Sequence, residues 1–217
     1  MGKVVVSSMT EEQQSTLHCE RVRCVHTSMR PDQFLVVAVA KYLRQEKFKA
    51  LFDKEESSRT AGRFVKMLDE WFAGASKDAS APLNVGFEEK VYDEMVVLAD
   101  VEFTSYCAHH LAPFSGTYTF AYIPKDTIVG LSKIPRMVEI LAARPQVQER
   151  LSQAIVQTFQ QTVKPGGCGV IMDAVHTCMC TRGVRKRGNT RTTALAGVFK
   201  KDPATRAEFL AAVGSLR

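Results

Sequence analysis

Apolar residues recur at helical spacing in the first third of the chain and at strand spacing in its middle. From Asp32, the residues Phe34, Leu35, Ala38, Val39 and Tyr42 form one stripe, which predicts a helix. A second stripe of Phe64, Met67, Leu68, Trp71 and Phe72 predicts a helix that starts near Thr60 as N-cap and stops at Gly74. That stripe suits either a core or a subunit contact. Ala75 to Pro82, rich in Ala and Ser, reads as a loop. The period then falls to two. Val97, Ala99, Val101, Phe103 and Ser105 alternate with Leu98, Asp100, Glu102 and Thr104, and Gly116 to Ile123 places Tyr118, Phe120 and Tyr122 on one side. Both read as partly buried strands.

Helical spacing returns at Ser132, a cap for a helix with Ile134, Met137, Val138 and Leu141 on its apolar face and Pro135 tolerated in its first turn. Pro145 is expected to start the next helix, with Val147, Leu151, Ala154, Ile155 and Thr158 as its buried stripe and Lys164-Pro165-Gly166-Gly167 as its end. Cys168 to Cys180 is predicted as one strand and Leu195 to Phe199 as another. Asp202-Pro203 then caps a closing helix that turns Phe209, Leu210 and Val213 inward. This order predicts an α+β arrangement around an antiparallel sheet. Three regions are expected: a polar, mobile leader over 1–30, a helical region over 31–93 and a catalytic domain over 94–217. There is no internal repeat and no P-loop.

Composition narrows the function. The chain has 217 residues, 45% hydrophobic and 24% charged, as in ordinary soluble globular proteins. No apolar run approaches the ~18 residues of a membrane span. Met1 to Val6 is too short for a secretory signal and lacks a myristoylation pattern, so a cytoplasmic location is expected. In that setting, six cysteines with histidines beside them favour metal over disulfides. The net charge of +6 favours anionic partners, and Arg182, Arg185, Lys186, Arg187 and Arg191 concentrate that charge in one segment. No aromatic stacking pattern accompanies them, so a phosphate-bearing small molecule is expected rather than nucleic acid.

The chemistry lies in two clusters, Cys107-Ala108-His109-His110 and His176-Thr177-Cys178-Met179-Cys180. They hold every histidine except His18 and His26, which flank Cys19 and Cys24 as a second candidate metal pair. Thiols and imidazoles together suit zinc. On a strand, His176, Cys178 and Cys180 share one face, while Cys107 and His110 can converge from a tight turn. Spacing leaves two arrangements open. Cys107, His110, Cys178 and Cys180 can close a structural site. Alternatively, Cys107, His110 and Cys178 hold a catalytic zinc with a free position, and His109 and His176 move protons. Ser132, Lys133 and Arg136 open a helix whose N-terminus favours anions. Gln148-Glu149, in the first turn of the next helix, either complements the helix dipole or reads the donor edge of a guanine.

These residues carry a family resemblance. Cys107-Ala108-His109-His110, Gly130-Leu131-Ser132-Lys133, Arg144-Pro145-Gln146-Val147-Gln148-Glu149-Arg150-Leu151, His176-Thr177-Cys178 and Arg182-Gly183-Val184 occur in the order found in GTP cyclohydrolase I. The likeness runs from about residue 32 to the C-terminus. It implies a tunnelling fold, with helices on one side of an antiparallel sheet and subunit sheets joined into a barrel. It also implies a homodecamer of two stacked pentamers with active sites at subunit interfaces. The implied reaction opens the guanine ring of GTP at C8, releases formate and yields 7,8-dihydroneopterin triphosphate, at the head of a folate, pterin or deazapurine pathway. By position, Cys107, His110 and Cys178 match the zinc ligands, leaving Cys180 outside the set, and His109 and His176 match the proton-transfer histidines. Gln148 and Glu149 match the purine-recognition pair. Ser132, Lys133, Arg136 and Arg182 match positions around the triphosphate, and Arg63 resembles an arginine supplied by a neighbouring subunit.

Two departures stand out. Ala108 replaces the family's usual Glu, removing a carboxylate beside the ligands, and the basic segment between Arg182 and Gly197 is one residue shorter than expected. They keep two alternatives open: a related cyclohydrolase acting on a modified or deoxy purine triphosphate or halting at a ring-opened intermediate, and a non-catalytic purine- or pterin-binding zinc protein.

Overall fold

The computed structural model describes residues 30–84, 86–88 and 92–214. His18, Cys19, Cys24 and His26, with the leader expected over 1–30, lie outside these residues except for Arg30. The chain divides into two compact units between Val65 and Lys66. In the first, helix α1 spans Pro31–Leu43, with Pro31 at the position where its missing N–H is no loss. Helix α2 spans Lys54–Trp71 and so starts six residues before the expected Thr60. The reason is a capping box built on Asp53. Asp53 Oδ1 accepts from the Glu55 and Glu56 amides at 2.7 Å each, and Glu56 Oε2 accepts from the Asp53 amide at 3.2 Å. Polar residues 54–59 conceal that start from a reading of apolar period.

The second unit is a five-stranded sheet with helices on it. Its strands are β2 (Val96–Cys107), β3 (Pro113–Ile123), β5 (Pro145–Gln146), β6 (Gly167–His176) and β7 (Asn189–Gly197), in the order β5-β2-β3-β6-β7. A separate two-stranded ribbon pairs β1 (Gly86–Glu88) with β4 (Thr127–Val129). The main sheet is antiparallel except where β5 runs parallel to β2 at Tyr106 and Cys107. Pro145 therefore starts a strand pair and not the helix expected there. Pro145 and Gln146 are taken up by pairing with Tyr106 and Cys107, Val147 stays extended as the N-cap, and the helix waits until Gln148.

Helices α3 (Lys133–Ala142) and α4 (Gln148–Val163) cover one face. Ile134, Met137 and Leu141 of α3 and Leu151, Ile155 and Phe159 of α4 meet Phe114, Tyr118, Phe120 and Tyr122 of β3 in one core. The opposite face is covered as well. Ala121 and Ile171, which point away from that core by strand alternation, pack with Phe199, Phe209 and Val213. Those residues come from α6 (Val198–Lys201) and α7 (Pro203–Gly214). Helices thus lie on both faces and not on one side alone, because the closing segment after β7 folds back across the sheet.

The last predicted strand also ends differently. β6 stops at His176, and Thr177–Cys180 form one helical turn, α5. β7 is longer than expected and runs from Asn189 to Gly197, with the turn of α6 following where Val198 and Phe199 were expected to be strand.

Gly116 sits at a close approach between β3 and β6. A Cβ there would lie 1.8 Å from the Asp173 carbonyl oxygen and 2.8 Å from Ala174 Cα, both backbone atoms that cannot step aside. A Gly116→Ala substitution is expected to destabilise the sheet by about 1–3 kcal/mol. Thermal unfolding would report it as a midpoint lowered by roughly 2–4 °C per kcal/mol.

Candidate active site

Sheet register decides what meets at one end of β2, β3 and β6. Tyr106 pairs with Pro113, and Phe114 pairs with His176. The Cys107–His110 turn lies just beyond the first pair, and the turn holding Cys178 begins just beyond the second. The Cys107 turn is fixed by its backbone. The Cys107 carbonyl accepts from the Leu111 amide at 2.8 Å, the Cys107 amide donates to the Ala112 carbonyl at 2.8 Å, and Leu111 takes φ +52° to complete the reversal. The Ala108 amide donates to the Gln146 carbonyl at 2.8 Å, which docks the turn on β5. Across the gap, Thr177 Oγ1 donates to the Pro113 carbonyl at 2.6 Å and holds α5 against the start of β3.

The result is a compact donor set. One ligand atom from each of Cys107, His110 and Cys178 lies within 4.8 Å of the others, with Cys107 buried, Cys178 half-buried and His110 exposed. His110 Nδ1 lies 3.7 Å and His109 Nδ1 3.9 Å from Cys107 Sγ. Cys180 is not in this set. On a helical turn, residues two apart point in nearly opposite directions, so the shared strand face expected for His176, Cys178 and Cys180 does not form. Two thiols and an imidazole from two chain segments suit a borderline-soft divalent cation, zinc above all, and leave coordination positions for other ligands. The residues present fit the metal that the donor chemistry implies.

Burial raises the Cys178 thiol above its ordinary pKa, and Cys107 beside it adds to the rise. His176 moves the other way: burial lowers it below the usual imidazole value, while the charge of Glu149 opposes the shift. At neutral pH His176 is therefore a neutral imidazole, able to accept a proton. Its ring stacks on Phe114 with centroids 4.5 Å apart and planes 8° apart, and its Nε2 lies 2.8 Å from Gln148 Oε1. Arg182 Nη1 lies 3.0 Å from His110 Nε2 and brings the basic segment to the edge of the cluster. By contrast, the thiol of Cys168 is pushed up to about 12 by burial in the core, which makes it an inert packing residue.

The other expected site residues fall into separate places. Glu149 is exposed in the first turn of α4 and lines an open groove of about 760 Å³ with Gln153, Gln157, Thr193, Leu195 and Lys200. Gln148, one residue away, is 1% exposed and turned into the protein. Ser132 and Arg136 are exposed and Lys133 half-buried at the start of α3, and no described hydrogen bond or ion pair joins them to the cluster. Arg63 is an exposed residue of α2 in the first unit. Phe114, Thr177 and Gln146 were not foreseen. They act through ring stacking and backbone contacts across the fold, for which sequence carries no local signal.

Metal content separates the two ligand arrangements that spacing leaves open. Cys180→Ser is expected to keep one zinc per chain, and Cys178→Ser to lose most of it, as measured by atomic absorption after gel filtration. A cation must displace the Cys178 proton, whose pKa is raised, so apparent zinc affinity should rise with pH and fall on acidification. A competition titration against a chelator at several pH values checks the sign.

Comparison with known proteins places the chain in a family. The family model described as GTP cyclohydrolase I matches residues 14–214. A protein of Synechococcus sp. (strain JA-2-3B'a(2-13)) named GTP cyclohydrolase 1 is 44% identical over 161 residues, covering 74% of this chain and 70% of its own. Proteins of that name from Dehalococcoides mccartyi (strain CBDB1) and Helicobacter acinonychis are 43% and 41% identical, each match covering 74% or 73% of this chain and 86% or 88% of the relative. Among solved structures, an archaeosine synthase QueF-Like in the apo form overlaps 48% of this chain and 93% of its own at 17% identity, with a TM-score of 0.38, too low to bear on the fold. With the family model spanning nearly the whole sequence and relatives above 40% identity covering about three-quarters of it, the chain belongs to the GTP cyclohydrolase I family.

Proposed function

We propose that this protein is a zinc-dependent GTP cyclohydrolase I, which converts GTP to formate and 7,8-dihydroneopterin triphosphate. The observation that carries the reading is the gathering of Cys107, His110 and Cys178, with His109 beside Cys107 and His176 held at the end of the adjoining strand. Bound zinc supplies Lewis-acid chemistry for hydrolysis at C8 of the purine. The chain's own groups do the rest. His109 and His176 accept and return protons as the ring opens and formate leaves; the lowered pKa of His176 keeps it in the accepting form near neutrality. The Glu149 carboxylate accepts from the N–H groups on the guanine edge.

Ser132, Lys133, Arg136 and Arg182 hold the triphosphate, and Arg63 is supplied to it from a neighbouring subunit. Sites shared between subunits accord with the oligomeric family to which the chain belongs. The sheet edges support assembly too. β2 has an outer partner only at Tyr106 and Cys107, and β7 has none among the described residues, so both edges are open to a neighbouring sheet. The proposed assembly is a decamer of two stacked pentamers with the tunnelling fold, working in the cytoplasm at the head of a folate, pterin or deazapurine pathway. No helix among the described residues is long and apolar enough to cross a membrane.

Ala108 favours a second reading of the substrate, since no carboxylate stands at this place beside the ligands. A substrate panel decides between them. Zinc-loaded protein incubated with GTP is expected to release formate and the pterin product in equal amounts. Formate without pterin would mean a reaction that stops at ring opening. Turnover of a deoxy or modified purine triphosphate but not GTP would favour the related cyclohydrolase. His109→Ala is expected to lower kcat by about 10²–10⁴-fold, the usual contribution of a positioned proton-transfer group. Full turnover by a folded His109→Ala enzyme would remove His109 from the mechanism.

A further inference from the structure

Gln148 is among the most buried polar residues of the chain, and its side chain is fully engaged within the fold. The two protons of the amide nitrogen are shared among three acceptors, the Met172 carbonyl at 3.1 Å, the Thr190 carbonyl at 2.9 Å and Thr192 Oγ1 at 3.2 Å. Two of these partners are main-chain carbonyls, which can only accept. The orientation of the amide is therefore determined: its nitrogen faces β6 and β7, and its oxygen faces His176. Ser152, one turn along α4, strengthens the arrangement. Its hydroxyl donates to the Gln148 carbonyl at 2.9 Å and lies 2.6 Å from Thr192 Oγ1.

The consequence falls on the imidazole. Gln148 Oε1 lies 2.8 Å from His176 Nε2, and an amide oxygen has no proton to give. The bond thus requires the proton to be on Nε2. A neutral imidazole carries one N–H, so the lone pair stands on Nδ1. The stack on Phe114 fixes the plane of the ring, and the bond to Gln148 fixes its rotation within that plane. A buried polar network at a position flanked by Leu151 and Ile155 is costly unless its members are satisfied, and here the Gln148 amide and the Ser152 and Thr192 hydroxyls all have partners.

We propose that Gln148 is a positioning residue that holds His176 as the Nε2–H tautomer and leaves Nδ1 as the proton-accepting atom of the site. Gln148 thereby acts on the reaction through His176, and recognition of the base falls to Glu149. The proposal rests on the reading of His176 as a proton-transfer group.

The test uses zinc-loaded protein carrying 15N-labelled histidine, with His176→Asn to assign the His176 signals. Imidazole 15N shifts distinguish the two neutral tautomers directly and need no turnover. The expected spectrum shows His176 protonated at Nε2 and unprotonated at Nδ1; the opposite tautomer overturns the proposal. Gln148→Met keeps the volume and removes the acceptor. It should mix the tautomers and lower kcat about 10- to 100-fold, with KM for GTP within about twofold. An unchanged kcat overturns the proposal, as does a large rise in KM alone, which would mean that Gln148 reads the base itself. Circular dichroism and gel filtration establish whether Gln148→Met folds; if it does not, the wild-type spectrum decides. Wild-type protein that shows the Nε2–H tautomer yet releases no formate from GTP supports the positioning and removes GTP cyclohydrolase activity as its purpose.

Discussion

The antiparallel register of β2, β3 and β6 is the constraint on which the rest of the site depends. Pairing Tyr106 with Pro113 and Phe114 with His176 sets two turns side by side that lie far apart in the chain. A slip by one residue would exchange the faces of the strands, sending Phe114 and Phe120 to the wrong side and separating the thiols. The register is held by a core that tolerates no such exchange: Phe114, Tyr118, Phe120 and Tyr122 all meet α3 and α4 on one face. Gly116 allows β3 and β6 to approach closely midway along the pair. The placement of the metal site therefore depends on the sheet interior as well as on the hydrogen bonds of its own turns.

Much of this could be read in the sequence because hydrophobic period survives wherever an element has one buried side. The stripes of α3 and α4 and the alternation of β3 are of that kind. The failures share a cause as well. The first turn of α2 is polar and depends on the Asp53 cap, so it has no period to show. Thr177–Cys180 alternates well enough to pass for strand, but the Thr177 hydroxyl is drawn to the Pro113 carbonyl and the segment turns. That single turn explains why Cys180 lies apart from the other donors while sharing their sequence motif.

The donor cluster was legible by residue type, since thiols and imidazoles concentrated at short spacing have few other uses. The surroundings of His176 were not. Its ring is governed by Phe114, fixed through strand pairing, and by Gln148, fixed through carbonyls of two further strands. Neighbours in the chain say nothing about such contacts. Gln148 and Glu149 show the limit clearly. Side by side in sequence, they point into different environments because α4 turns by about 100° between them: one is buried at the sheet and the other opens on a groove.

The donor set has one more consequence, which concerns mechanics more than chemistry. Cys107 and His110 belong to the β2–β3 hairpin and Cys178 to the segment after β6, so a cation gripped by all three acts as a rivet across a long stretch of intervening chain. Clips that close long loops have the largest entropic effect on the unfolded chain. Emptying such a site would leave the aromatic core beneath α3 and α4 in place, with α5 and the exposed basic segment behind it held by the Thr177–Pro113 bond, the Arg182–His110 contact and the packing of Cys178 against the core.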